Sequence, residues 1–140
     1  MSEILFTNAR LIDPVTLTDA PGWLRVAKGK IVESGDGKAP EAKGEVVDCG
    51  GLCLAPGIID IGVKVSEPGE RHKESFRSAG KAAAAGGVTT IVTRPDTTPA
   101  IDSPEILEFV ARRAAAEAIV NVLPMAALTK GRAGREMTEI

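Results

Sequence analysis

The order of apolar segments after Pro56-Gly57 constrains the fold of this chain more than any other feature. Residues 58–63 form an almost continuous apolar run, the pattern of a strand buried on both faces. Residues 73–85 then place Phe76, Ala79, Ala83 and Ala84 along one side of a helix, which Gly86-Gly87 ends. Val88-Thr89-Thr90-Ile91-Val92-Thr93 is rich in β-branched residues and predicts a second strand. Ser103-Pro104-Glu105 supplies an N-cap, a proline at the first helical position and an acid in the first turn. Ile106, Leu107, Val110 and Ala114 follow at helical spacing, and residues 118–123 predict a third strand. Strand, helix, strand, helix, strand is the order of parallel strands joined by crossover helices. The closing residues, ending Arg135-Glu136-Met137-Thr138-Glu139-Ile140, are expected to lead into a further helix.

The part before Pro56 reads differently. Residues 4–12, 23–26, 30–34, 45–49 and 52–55 are short strand candidates separated by Asp13-Pro14, Ala27-Lys28-Gly29, a Gly- and Pro-containing loop over 34–40, and Gly50-Gly51. The expected organisation is a small antiparallel β unit over residues 1–55 and an α/β unit over 56–140. Three parallel strands and two helices form a small open sheet. A closed barrel of such units takes roughly 250 residues, so the chain is expected to stop partway through one.

Composition narrows the function classes. Seventeen Lys and Arg against 19 Asp and Glu give a net charge of −2 with no basic block, so no nucleic-acid partner is expected. The longest apolar stretch, around residues 52–65, is broken by Pro56, Asp60 and Lys64, so no membrane span is expected. The opening residues lack a basic region followed by a long apolar one, and a cytoplasmic protein is expected. Cys49 and Cys53 are then reduced thiols. They lack a second Cys/His pair with which to complete a zinc site.

Three segments together resemble the dihydroorotase family of the amidohydrolase superfamily. The first is Pro56-Gly57-Ile58-Ile59-Asp60, followed by Glu67-Pro68-Gly69 and Lys73-Glu74-Ser75. The second is Ala84-Ala85-Gly86-Gly87-Val88-Thr89-Thr90-Ile91-Val92, and the third is Arg94-Pro95-Asp96-Thr97-Thr98-Pro99-Ala100-Ile101-Asp102. The resemblance runs the length of the chain. It implies the N-terminal part of a small β-sandwich domain followed by the first three strands and two helices of a (β/α)8 barrel, incomplete within these 140 residues. It also implies a zinc site that opens the amide ring of dihydroorotate reversibly in pyrimidine synthesis.

The resemblance also implies where that chemistry would sit. The family's first barrel strand ends in Asp-x-His-x-His-x-Arg, with the two His on metal and the Arg on the substrate carboxylate. Here the stretch reads Asp60-Ile61-Gly62-Val63-Lys64-Val65-Ser66, so Gly62 and Lys64 fall at the His positions and Ser66 at the Arg position. The family's Met-Pro-Asn on the second strand, whose Asn also holds the carboxylate, reads Arg94-Pro95-Asp96. Gly62 has no donor atom, and the Lys64 ammonium has no free lone pair. Asp96 puts a negative charge where an anionic substrate would dock, and Ser66 lacks the guanidinium fork. Without a metal to bring the pKa of a bound water down to about 7, on the order of 12 kcal/mol of nucleophile activation is lost. No cofactor is expected from this segment.

Two readings of this set follow. Lys64 and Asp96 pair and plug a vacated metal pocket, or Lys64 and Arg94, with Asp60 nearby, form a metal-free anion pocket. His72, the only histidine, is read as a solvated residue at a helix start rather than a displaced ligand. The leading expectation is a catalytically inactive dihydroorotase-like protein supporting an aspartate carbamoyltransferase assembly. The alternatives are an active cyclic amidohydrolase with displaced site residues and a truncated, non-functional fragment. A free piece of this length would leave residues 119–123 as an unpaired apolar edge and is expected to need a continuation, a partner or self-association.

Overall fold

The computed structural model describes residues 3–140, which divide into two compact units, 3–56 and 57–140. In the first, β1 (Glu3–Asp13), β2 (Thr18–Ala27) and β3 (Lys30–Gly35) form an antiparallel meander. Asp13 turns the chain between β1 and β2 by accepting from the Val15 N–H at 2.8 Å and the Thr16 hydroxyl at 2.9 Å. Pro21 is tolerated inside β2 because β3 pairs only with residues from Trp23 onward, which leaves the proline on an edge.

The unit is not wholly antiparallel. β4 (Glu45–Asp48) and β5 (Cys53–Leu54) both run parallel to β1, against Ile4–Thr7 and Arg10–Leu11. The loop after β3 crosses the sheet instead of making a hairpin, and it delivers β4 to the far side of β1 in the same direction. Leu5, Ala9 and Trp23 are the buried apolar residues of this unit, and the Trp23 indole donates to the Asp36 carbonyl at 3.1 Å. Cys49 is half-buried and Cys53 exposed, both as free thiols.

In the second unit, β6 (Ile58–Val63), β7 (Val88–Thr93) and β8 (Asn121–Pro124) form a parallel sheet in sequence order. Crossovers α1 (Phe76–Ala85) and α2 (Pro104–Glu117) connect them. Helix α1 begins three residues after the expected Lys73. The Ser75 hydroxyl accepts from the Ser78 N–H, and the Ser78 hydroxyl accepts from the Ser75 N–H, so this reciprocal box fixes the start at Phe76. Helix α2 starts as expected, with the Ser103 side chain accepting from the Ile106 N–H. It ends at Glu117, and the expected strand over 118–123 shifts to 121–124 because Ala118 caps the helix.

Val65, Phe76, Ala79, Ile91, Ile101, Val110 and Ala114 form the core between the helices and the sheet. Ala84 is exposed, and Gly80 takes the buried position on α1 instead. A Cβ at Gly80 would lie 3.2 Å from the Ile119 nitrogen, so a side chain there would press on the α2–β8 connection by a few tenths of an ångström. β6 is not buried on both faces: Ile58, Ile59 and Ile61 are 55%, 62% and 72% exposed. Helix α1 lies against β7 and α2 against β8, and neither packs on β6. The closing residues form a 3-10 turn over Lys130–Arg132 and a bridge between Thr129 and Met137. Positive φ at Gly131 and Gly134 breaks a helical path there.

Candidate functional site

The carboxyl ends of β6 and β7 bring three of the sequence-derived residues together. The Arg94 N–H donates to the Val63 carbonyl at 2.9 Å, extending the ladder so that Lys64 and Arg94 leave neighbouring strands side by side. Asp96, two residues on, receives both cations. Lys64 Nζ lies 3.2 Å and an Arg94 guanidinium nitrogen 3.1 Å from the same Asp96 Oδ2. The Asp96 side chain is only 10% exposed, whereas Lys64 and Arg94 are 52% and 49% exposed. Asp96 Oδ1 is buried and has no hydrogen-bond partner. Burial pushes the Asp96 carboxyl up. The Lys64 hydrogen bond and the charges of Arg94 and Lys64 outweigh it and hold the group below the usual carboxylate range.

The other sequence-derived positions lie apart from this trio. Asp60 is exposed on β6, where it pairs in register with Ile91, and no ion pair or hydrogen bond joins it to Lys64 or Arg94. Ser66 is half-buried, and its carbonyl accepts from the Glu70 N–H at 2.8 Å. His72 is exposed in the turn that follows. Gly62 has φ +96° at a register shift between Ile61 and Val63, and a Cβ there would meet nothing within 4 Å. Space for a side chain exists at this position. The backbone conformation opposes one, since a non-glycine residue held in such a region costs about 1–3 kcal/mol.

These donors do not fit a divalent cation. Gly62 offers no ligand atom, and Lys64 donates rather than accepts. The accessible oxygen of Asp96 is already shared by two positive groups. Among the described residues no three His, Cys, Asp or Glu side chains gather in a metal-binding group. The arrangement is a cation–anion–cation cluster of net charge +1, able to hold charge but with no nucleophile activated by a neighbouring base.

The residue that organises this end of the sheet carries little signal in the sequence. Glu67 is 5% exposed and sits just beyond β6. Its Oε2 accepts from the Phe76 N–H at 3.1 Å, capping the first turn of α1, and its Oε1 accepts from Arg113 Nε of α2 at 2.7 Å. Arg71 adds a longer contact at 3.6 Å. Arg113 continues to Glu117 at 3.1 Å, and Glu117 to Arg77 of α1 at 2.7 Å. The Arg77 hydrogen bond, helped by the charges of Arg77 and Arg113, holds the Glu117 carboxyl below its usual range. One chain of ion pairs therefore ties the β6–α1 loop to both helices. The only sequence signal is an acid in the quoted Glu67-Pro68-Gly69 motif.

Comparison with known proteins agrees with this architecture. The L-hydantoinase (dihydropyrimidinase) from Arthrobacter aurescens superposes with a TM-score of 0.80 at 23% identity, over 92% of this chain and 28% of that one. A D-hydantoinase superposes at 0.77 with 25% identity, over 91% of this chain and 27% of that one. The fold is therefore α/β, a small β unit followed by the opening of an amidohydrolase (β/α)8 barrel, with three strands and two helices in place. A family profile described as dihydro-orotase-like matches residues 51–140. A dihydroorotase of Wolbachia (strain wRi) is 46% identical over 121 residues, 86% of this chain and 27% of that protein. A dihydroorotase of Solibacter usitatus is 41% identical over 140 residues, 98% of this chain and 32% of that protein. The chain belongs to the dihydroorotase-like family, and it spans about three-tenths of the length of these curated relatives.

Proposed function

We propose that this chain is part of a dihydroorotase-like protein of pyrimidine synthesis that has lost catalysis and serves a structural role. In this reading Gly62 and Lys64 occupy the positions of the first-strand metal ligands, and Ser66 and Asp96 those of the substrate-carboxylate ligands. The observation that carries it is the Lys64–Asp96 contact of 3.2 Å, with Arg94 on the same oxygen. An ammonium neutralised by a buried carboxylate stands where a metal would need a lone pair. The protein works in the cytoplasm, with Cys49 and Cys53 reduced, and its partner is an aspartate carbamoyltransferase that it helps to assemble. Failing that, it associates with itself through the exposed apolar residues of β6.

Metal analysis and zinc titration of the native polypeptide, with dihydroorotate turnover measured in parallel, test the catalytic half of this reading. The expected result is sub-stoichiometric zinc and no turnover. Zinc held at the Lys64 level, or turnover that chelation abolishes, refutes it. Such an outcome would establish the second reading, an active cyclic amidohydrolase with displaced ligands, which the dihydroorotase names of its relatives favour. The structural half is tested by co-elution with the transferase from the native cell. Elution of each as a separate monodisperse species refutes it.

A further inference from the structure

The geometry points to a self-occluded anion site at the ends of β6 and β7: the Asp96 carboxylate occupies, as an internal ligand, a position that Lys64 and Arg94 would otherwise offer to a small oxyanion, a carboxylate or a phosphate. The inference deepens the metal-free reading above and rests on it. Three observations carry it. Both cations converge on one oxygen, at 3.2 and 3.1 Å, so an ammonium and a guanidinium already share a single carboxylate oxygen. The carboxylate they hold is drawn inward to 10% exposure while its other oxygen is left bare, so the two cations and not a cage of hydrogen bonds keep it there. The cations themselves stay half exposed, so each retains donors directed to solvent.

Asp96 cancels only one of the two positive charges. Glu70, the other acid near Lys64, is paired with Lys73, and its carboxyl is held down by that contact. Removing the Asp96 charge therefore leaves an ammonium and a guanidinium side by side with no carboxylate bonded to them, Glu70 acting on Lys64 only at longer range, a preformed fork for an oxyanion. In the wild-type chain an added anion competes with a tethered carboxylate at high effective concentration and loses.

The test compares the full wild-type chain with Asp96→Asn by titrating inorganic phosphate and, separately, acetate. The readout is the nitrogen and proton shifts of the Arg94 guanidinium and the Lys64 ammonium. Asp96→Asn is expected to bind phosphate at least about tenfold more tightly than wild type, the scale set by one charge-assisted hydrogen bond. Acetate is expected to bind the same groups more weakly, and adding Lys64→Met should remove the gain. Asp96→Ser, a smaller side chain in the same buried space, provides the same comparison should the asparagine variant fold poorly. A folded Asp96 variant that gains no phosphate affinity overturns the inference. So does a wild-type chain that binds phosphate at Arg94 and Lys64 as tightly as the variant. The phosphate titrations are run with chelator present and zinc binding is measured separately, so zinc uptake by the wild type would sink the metal-free reading while the metal-free phosphate isotherms decide the anion site, and the two failures are distinguishable.

Discussion

Replacing Glu67 with glutamine tests how this end of the sheet is held. The carboxylate is 6% exposed and uses both oxygens, Oε1 for Arg113 Nε at 2.7 Å and Oε2 for the Phe76 N–H at 3.1 Å. Glutamine fills the same volume but keeps one acceptor. In either orientation its amide N–H₂ faces a donor, the guanidinium or the backbone N–H of α1. A hydrogen bond to a charged group is worth about 1.5–3 kcal/mol. Arg113 is 28% exposed and recovers some hydration, which moves the expectation to about 2 kcal/mol. Arg71, 59% exposed, adds little. Arg113→Met removes the other partner and strands a buried carboxylate, so it should cost more, about 3–5 kcal/mol before the Phe76 N–H and Arg71 compensate. The double variant should cost less than the sum of the two by roughly 1–2 kcal/mol. Urea unfolding followed by the helical circular-dichroism band gives these values. Hydrogen exchange at the Phe76 amide reports the cap itself and should accelerate in Glu67→Gln. A Glu67→Gln variant within about 0.5 kcal/mol of wild type, with additive double-variant energies, would refute the account.

Further outcomes follow from the same contacts. Phe76, 1% exposed in the core, should cost about 3–5 kcal/mol on truncation to alanine, read as a lower urea midpoint at unchanged slope. Ser75→Ala removes the capping-box acceptor and should cost about 1 kcal/mol, with fraying of α1 visible as faster exchange in its first turn. The Asp96 carboxyl is held below its ordinary value of about 3.9. Its contribution to stability is complete above that pH and is lost as the pH falls through the lower folded value. Asp96→Asn should therefore flatten the dependence of stability on pH below about pH 4, and an unchanged slope counts against the Lys64–Asp96–Arg94 contact. With Ile58, Ile59 and Ile61 open to solvent, the free chain should self-associate in light scattering, and Ile61→Lys should reduce this. Sharp two-state unfolding of a true monomer would argue the reverse.

Short-range patterns determined much of this molecule. The apolar spacing of α2 and its Ser103-Pro104-Glu105 start, the β-branched run of β7, and the alternation of strands and helices are all legible because each depends on neighbours within a turn or two. The three motifs around Pro56–Asp60, Gly86–Val92 and Arg94–Asp102 likewise carry the family resemblance in local sequence alone. The residues at the ends of β6 and β7 were legible as unusual, but not their arrangement. That Lys64 and Arg94 share a single oxygen of Asp96 depends on a contact spanning 32 positions. Glu67 was invisible as an organiser because its partner Arg113 is 46 residues away. The parallel run of β4 and β5 against β1 was missed for the same reason, since strand direction is set by where a connection crosses the sheet and not by the composition of the strand. The apolar run of β6 specified a strand, but its exposure was decided by what packs against it, and the helices lie against β7 and β8. Local pattern fixes which elements form. Only the tertiary structure decides which charges meet and which apolar surfaces are left uncovered, because those depend on distances the chain sets by folding.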